Sequence, residues 1–267
     1  MNVFTKIAAC AMVFASASMA SAETINLAEK DFFKNPTGNY STTGTEITTK
    51  GMTSLFSKQM IDVDPAKKYS FKMTVSNSAP KNLMLYVGFN LIDANGKAHA
   101  AFAWQGVTNS FTKVTRDAKK GDTVIYVEDG KAWNLSNISS IARNAKADNS
   151  DLPNTTTIKN TIKSKKQVGN EWELTLNAPL KADLTAGEMV RQHMAGGYFY
   201  TAIKTVKPTD TEFDLTGAVQ GFAKTIGSFN GKQWPSGTAK AQIIILADWG
   251  TKVGTPLIFK NPTLTIE

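Results

Sequence analysis

The sequence predicts an all-β fold: a large antiparallel β-sandwich with a small β-subdomain inserted in one of its connections. Three stretches carry that reading. From Ile61 a turn marked by Pro65 opens into Tyr69 to Val75, where Tyr69, Phe71, Met73 and Val75 alternate with Ser70, Lys72 and Thr74. A period of two sends apolar groups to one face and polar groups to the other, as in a half-buried antiparallel strand. Leu83 to Leu91 repeats the pattern, with Leu83, Leu85, Val87, Phe89 and Leu91 on the apolar face and Met84, Tyr86, Gly88 and Asn90 on the other. Ala241 to Ala247 is too apolar for a half-exposed strand, so it reads as a central strand buried on both faces.

The remaining elements follow in order. Residues Met1 to Ala22 read as a secretory leader: Lys6, an apolar run from Ile7 to Met19, then the small-residue cleavage pattern Ala20, Ser21, Ala22. Too little apolar sequence precedes Cys10 for a lipoprotein box. The mature chain is expected to start at Glu23, exported and without a membrane span, because no later segment approaches the roughly 20 apolar residues a spanning helix needs. The Asn95, Gly96 pair after the second strand signals a tight hairpin, since both central residues of such a turn take positive φ. A partner strand is therefore expected near His99 to Trp104. At the far end, Leu257 to Phe259 and Thr263 to Ile266 read as strands interrupted by Pro262, which marks an edge or a bulge.

The middle of the chain differs. Short strands around Thr123 to Glu128 and Asn170 to Leu176 enclose a polar stretch from Asn134 to Lys166, broken at Asp151 to Pro153. Residues 113–200 are read as the inserted subdomain, with 23–112 and 201–267 as the two parts of the sandwich. The one helical pattern is Gly217 to Ile226, where Ala218, Val219, Phe222, Ala223 and Ile226 share a face, weakened by Gly221.

Charge and cysteine usage narrow the chemistry. Formal net charge is +8, and the leader removes only Lys6. A basic exported protein meets acidic surfaces such as uronic or sulfated glycans. Nucleic acid is excluded as a partner because the basic residues form no reading motif. The only cysteine, Cys10, lies in the leader, so the mature chain has no disulfide, thiolate nucleophile or cysteine-bound metal. Two histidines without cysteine argue against zinc.

The residues Phe33, Ile61 to Tyr69, Tyr86 to Phe89, Trp234 to Thr238 and Ala247 to Trp249, with the closing Phe259 to Leu264, together resemble the galactose-binding-like jelly rolls. These are β-sandwich carbohydrate-binding modules found beside bacterial polysaccharide-degrading enzymes. The likeness covers Glu23 to about Thr112 and Thr201 to Glu267. Lys119 to Val127 and Ala186 to His193 resemble small β-barrel units spliced into such modules. The resemblance implies a jelly-roll topology and sugar recognition by aromatic stacking beside amides and charged groups. Its candidates are Tyr86 and Asn90 on the polar side of their strand, Trp104 with Gln105 at a strand end, and Trp234 and Trp249 near loops, each weighed against ordinary core packing. Tyr198 and Tyr200 beside Gly196 and Gly197 read either as an aromatic edge or as packing where the insert rejoins the sandwich. Such modules often hold a structural calcium through a last-strand carboxylate; Asn261 stands where an Asp is usual, so no cofactor is expected.

Three functions remain open. The favoured one is a secreted, non-catalytic carbohydrate-binding protein for an acidic polysaccharide or cell-surface glycan. The alternative is a structural or adhesive cell-surface protein using the insert as an interaction lobe. Least favoured is a polysaccharide lyase, for which Glu188, Arg191 and His193 could pair a base with a uronate-neutralising arginine. No hydrolase or nucleotide motif supports an enzyme. A basic cluster, Lys159, Lys163, Lys165 and Lys166, could face acidic polymer or only solvent.

Overall fold

A computed structural model describes residues 22–267 apart from Ala100, Asn137, Ala195, Lys224 and 227–230. The leader read from the sequence lies outside the described residues except for Ala22. Of the described residues 53% are strand and 2% helix, an all-β architecture of curled antiparallel sheets. Its first strands are β1 (Glu23–Asn26), β2 (Phe33–Thr42), β3 (Glu46–Asp62), β4 (Tyr69–Asn77), β5 (Leu83–Ile92) and the two-residue β6 (Ala98–His99). The middle supplies β7 (Thr112–Lys113), β8 (Val124–Val127), β9 (Ser139–Arg143), β10 (Thr156–Lys159), β11 (Ile162–Val168), β12 (Glu171–Leu176) and β13 (Met189–Met194). The chain returns through β14 (Phe199–Val206), β15 (Glu212–Val219), β16 (Lys240–Ala247) and β17 (Pro256–Ile266).

One sheet runs β14-β5-β16-β3-β17-β4-β15, with β1 on β17, β2 on β3 and β6 on β5. It folds into two facing layers because β3 serves both. Glu46 to Lys50 pairs with β17, while Thr53 to Asp62 pairs with β16. Between the two halves Gly51 takes φ 71°, a kink that a side chain would resist. The sheet's two ends then approach each other: a Cβ at Gly217 of β15 would lie 2.8 Å from the Thr201 carbonyl of β14. β4 and β5 keep the alternation seen in their sequences, and their apolar faces meet in the core. Phe71 and Phe89 lie 5.1 Å apart, and Trp234 packs on Tyr69, Phe89 and Phe199 with centroids 5.1, 4.7 and 5.7 Å away. Burying each such ring is worth roughly 1.5–3 kcal/mol. β16 is buried from Ala241 to Ala247 between β3 and β5, as its composition requires.

The middle strands build a second core. Sheets β10-β9-β13-β7 and β11-β12-β8 enclose Ile125, Val127, Trp133, Ile141, Leu174 and Val190. This cluster is separate from the sandwich core, which draws on Leu27 to Ala101 and Phe199 to Ile266. Phe199 and Tyr200, read from sequence as the end of the insert, pair with β5.

Other local expectations change. The Asn95, Gly96 turn closes through Asp93, whose carboxylate accepts from the backbone N–H of Asn95 and Lys97, and only Gly96 takes positive φ. The strand expected over His99 to Trp104 is the short β6 followed by a 3-10 turn, Ala101–Trp104. Gly217 to Ile226 is not a helix: Glu212 to Val219 pairs residue by residue with β4, and Gly221 takes φ 70° where the chain turns away. Cross-strand burial of Leu215 and Val219 overrides the weak helical spacing. β17 is one strand, with Pro262 accommodated at a register shift beside Asn261 at φ 47°.

The tightest backbone constraint is Gly88. A Cβ there would run into the Phe199 carbonyl oxygen, because β14 carries a bulge between Tyr200 and Ala202 directly over it. Gly88→Ala is therefore expected to cost about 1–3 kcal/mol, read as a lower urea midpoint at unchanged slope. Full stability in that variant overturns the assignment.

Candidate functional site

The outer face of the layer containing β5 and β16 is assembled row by row from strand register. Residues directly opposite on neighbouring strands share a face, with strands about 4.8 Å apart. One row reads Lys34, Phe56, Ile244, Gly88, Tyr200; the next reads Thr37, Ser54, Leu246, Tyr86, Ile203. The Tyr198 ring lies 5.7 Å from Phe56 and 6.4 Å from Tyr200 and links the two. Tyr86 lies 4.8 Å from Tyr200. The result is a continuous aromatic band, Phe56, Tyr198, Tyr200 and Tyr86, each ring half-buried. Burial pushes the Tyr200 phenol up, reinforced by the neighbouring Tyr198 and Tyr86 phenols, so it remains a neutral hydrogen-bonding group.

Polar groups border the band. Lys34, beside Phe56, is exposed and forms no ion pair among the described residues. Asn90 lies on the same face, and its Nδ2 donates to Gln242 Oε1 at 3.3 Å. Beside Tyr200 a cavity of about 400 Å³ opens between the sandwich and the middle segment, where Gln105, Met194 and Ile203 also line it. The turn bearing Trp249 borders the Tyr86 end of the band: the Trp249 backbone N–H donates to the carbonyl of Met84, two residues along β5 from Tyr86. Trp249 is 39% exposed.

Two sequence candidates are corrected. Trp234 has 0% exposure, enclosed by Tyr69, Phe89 and Phe199, so no ring face is free for a ligand. Trp104 is buried with Ala103 and Ala223, against Leu152, and its Nε1 donates to the Ser236 carbonyl at 3.2 Å. Both belong to packing. Tyr86, Asn90 and Gln105 are gathered around the band and its cavity. Phe56 and Lys34 escaped the sequence reading. Phe56 adjoins core-facing Leu55, so it must point to the opposite face, but only β-pairing shows what it meets there.

The lyase constellation is brought together and consumed by its own contacts. Arg191 and His193 are both buried on β13. Arg191 Nε donates to His193 Nε2 at 2.8 Å, Nη2 reaches Asp151 Oδ2 at 2.7 Å, and Nη1 serves Lys146 O and Asn149 Oδ1. A nitrogen that accepts from a guanidinium has its lone pair engaged and is a poor base. Glu188 instead holds Arg143 in a bidentate pair, which raises the Arg143 guanidinium and keeps Glu188 ionised. The basic cluster is likewise divided: Lys165 donates into the Gly130, Lys131 and Trp133 carbonyls, and Lys166 pairs with Glu173. Among the described residues no group of three His, Cys, Asp or Glu could hold a metal, and no helix is long and apolar enough to cross a membrane.

His99 is a second buried imidazole. Thr238 Oγ1 donates to the Pro235 carbonyl and so accepts from His99 Nε2 at 3.2 Å, leaving buried Nδ1 without a partner among the described residues. Burial lowers its pKa from 6.5, opposed by the attraction of Asp93. No protein-family model matches this chain, and no curated protein does.

Two outcomes follow from these buried groups. Asp151→Ala strands the Arg191 charge and is expected to cost about 3–5 kcal/mol, whereas Asp151→Leu with Arg191→Met recovers much of it; denaturant unfolding measures both. For His99 the unfolded state binds the extra proton, so its stability contribution is complete above about pH 6.5 and is lost as pH falls below that value. The slope is at most about 1.4 kcal/mol per pH unit. Thermal melts between pH 7.5 and 5 should show a shallower decline in His99→Gln.

Proposed function

We propose that this is a secreted, non-catalytic carbohydrate-binding protein that takes an acidic polysaccharide on the outer face of the β14-β5-β16-β3 layer. The observation that carries this reading is the aromatic band Phe56, Tyr198, Tyr200 and Tyr86, with exposed Lys34 at one end. Pyranose rings present apolar C–H faces that stack on aromatic rings, while hydroxyls and carboxylates seek donors at the rim. Asn90 and Gln105 supply amides, and Lys34 supplies the cation. A rigid strand platform suits this task because the rings lose little freedom on binding. The resemblance to galactose-binding-like modules and the leader-like first residues agree with an exported glycan binder. The occupied Arg191 and His193 favour binding over catalysis.

An adhesive role has one observation of its own. Leu135 and Ile138 are 58% and 53% exposed on the loop before β9, an apolar tip suited to protein contact.

A glycan array probed with the chain from Glu23 onward, including uronic and sulfated glycans at two salt concentrations, separates the readings. Binding that weakens with salt is expected, as is a loss of at least tenfold in Tyr86→Ala and Tyr198→Ala, about 1.4 kcal/mol or more. Absence of binding across acidic glycans sinks the proposal and leaves the adhesive reading.

A further inference from the structure

We propose that the cleft beside Arg191, where the middle segment meets the sandwich, binds a small oxyanion: the carboxylate of a hydroxy acid or the phosphate of a short phosphate ester. This site is independent of the aromatic band and of the glycan reading, since none of the band's rings lines it. A cavity of about 250 Å³ is walled by Lys146, Asn149 and Arg191 of the middle segment, Asn109 of the connection before β7, and Thr225 and Ile226 of the loop after β15. Contacts beneath these walls hold them in place. Ile226 sits so closely on the connection that a Cβ on Gly106 would lie 2.6 Å from its Cγ2. The Lys146 backbone N–H donates to Asp151 Oδ1, and its carbonyl accepts from Arg191 Nη1.

Charge and hydrogen-bonding capacity select the ligand. Among the described residues that line the cavity two are cationic and none is acidic. Arg191 is 3% exposed, and four of its five N–H hydrogens go to His193 Nε2, Lys146 O, Asn149 Oδ1 and Asp151 Oδ2. One hydrogen on Nη2 is left without a partner among the described residues. Asp151 balances the Arg191 charge, so the surplus cation is Lys146, which is exposed and forms no ion pair among the described residues. The nearest acid in sequence, Asp148, turns its carboxylate to the Ser150 backbone N–H. Asn149 spends its amide oxygen on Arg191 and keeps its amide donors. Donors in surplus and no carboxylate match a group that only accepts, which is an ionised carboxylate or phosphate. The volume sets the size: it is below the roughly 300–1,000 Å³ of pockets for drug-sized ligands, so it suits an anion of a few carbons and not a polymer. Such a ligand touches both the middle segment and the sandwich, and its binding ties the two together.

The test keeps one carbon skeleton and changes only the charged group: glycerate, glycerol 3-phosphate and neutral glycerol are titrated into the chain from Glu23 onward by calorimetry at low salt. Saturable one-to-one binding of glycerate or glycerol 3-phosphate, with Kd below about 1 mM and at least tenfold tighter than glycerol, supports the inference, and the tighter of the two names the oxyanion. Lys146→Glu should then weaken that binding at least tenfold. Ala147→Phe, at an exposed position in the cavity wall, should block it by filling the space, and a urea midpoint unchanged in either variant shows that the fold is intact. Backbone amide resonances should shift on binding both at Lys146 to Asn149 and at Thr225 to Ile226. No saturation below about 10 mM with either anion overturns the inference, as do equal affinity for glycerol and anion binding that Lys146→Glu leaves unchanged. None of these results bears on the glycan array, whose outcome is read on the aromatic band.

Discussion

The ring cluster joining the two layers of the sandwich is the interaction on which the rest depends. Phe71 from β4 and Phe89 from β5 meet across the core, and Trp234, from the loop before β16, closes the same space against Tyr69 and Phe199. No cysteine lies among the described residues to staple the layers, so apolar burial must hold them. The cluster also fixes Phe199, the first residue of β14. Because β14 alternates, seating Phe199 in the core puts Tyr200 on the outer face, over Gly88. The candidate site is thus the reverse side of a core contact.

A second constraint is the seam between the two cores. Val107 donates to the Gln192 carbonyl and Met194 to the Gln105 carbonyl, so the segments entering and leaving the middle region run side by side. Leu152 packs beside Ala103 and Trp104, and Pro153 lies against Gly237 in the loop that carries Trp234. The neighbouring Asp151 anchors Arg191. Residues that look like catalytic or sugar-stacking candidates in sequence, Arg191, His193, Trp104 and Trp234, are spent on assembling this seam and the cores it joins.

Much of the fold was legible in the sequence because strands with one buried face write a period of two. β4, β5 and the largely apolar β16 lie where their patterns put them. Legibility failed where local and tertiary preferences compete. Gly217 to Ile226 has helical spacing, but its first residues, Gly217 to Val219, pair as the end of β15, since β4 offers Leu215 and Val219 a buried face and a ladder of hydrogen bonds. The site was legible only in pieces. Tyr86, Asn90 and Gln105 stand out as polar or aromatic groups beside strands, yet nothing in their spacing says that Phe56 and Tyr198 join them.

By itself, the sequence determined the all-β class, the strands with one buried face, the basic charge and the lack of cysteine beyond Cys10, because each follows from residue type and local periodicity. Tertiary structure decided which aromatic rings face outward. A tryptophan in a loop and a tyrosine on a strand's polar face carry similar apolar rings; packing across the layers buries Trp234, while strand register leaves Tyr86 and Tyr200 side by side at the surface.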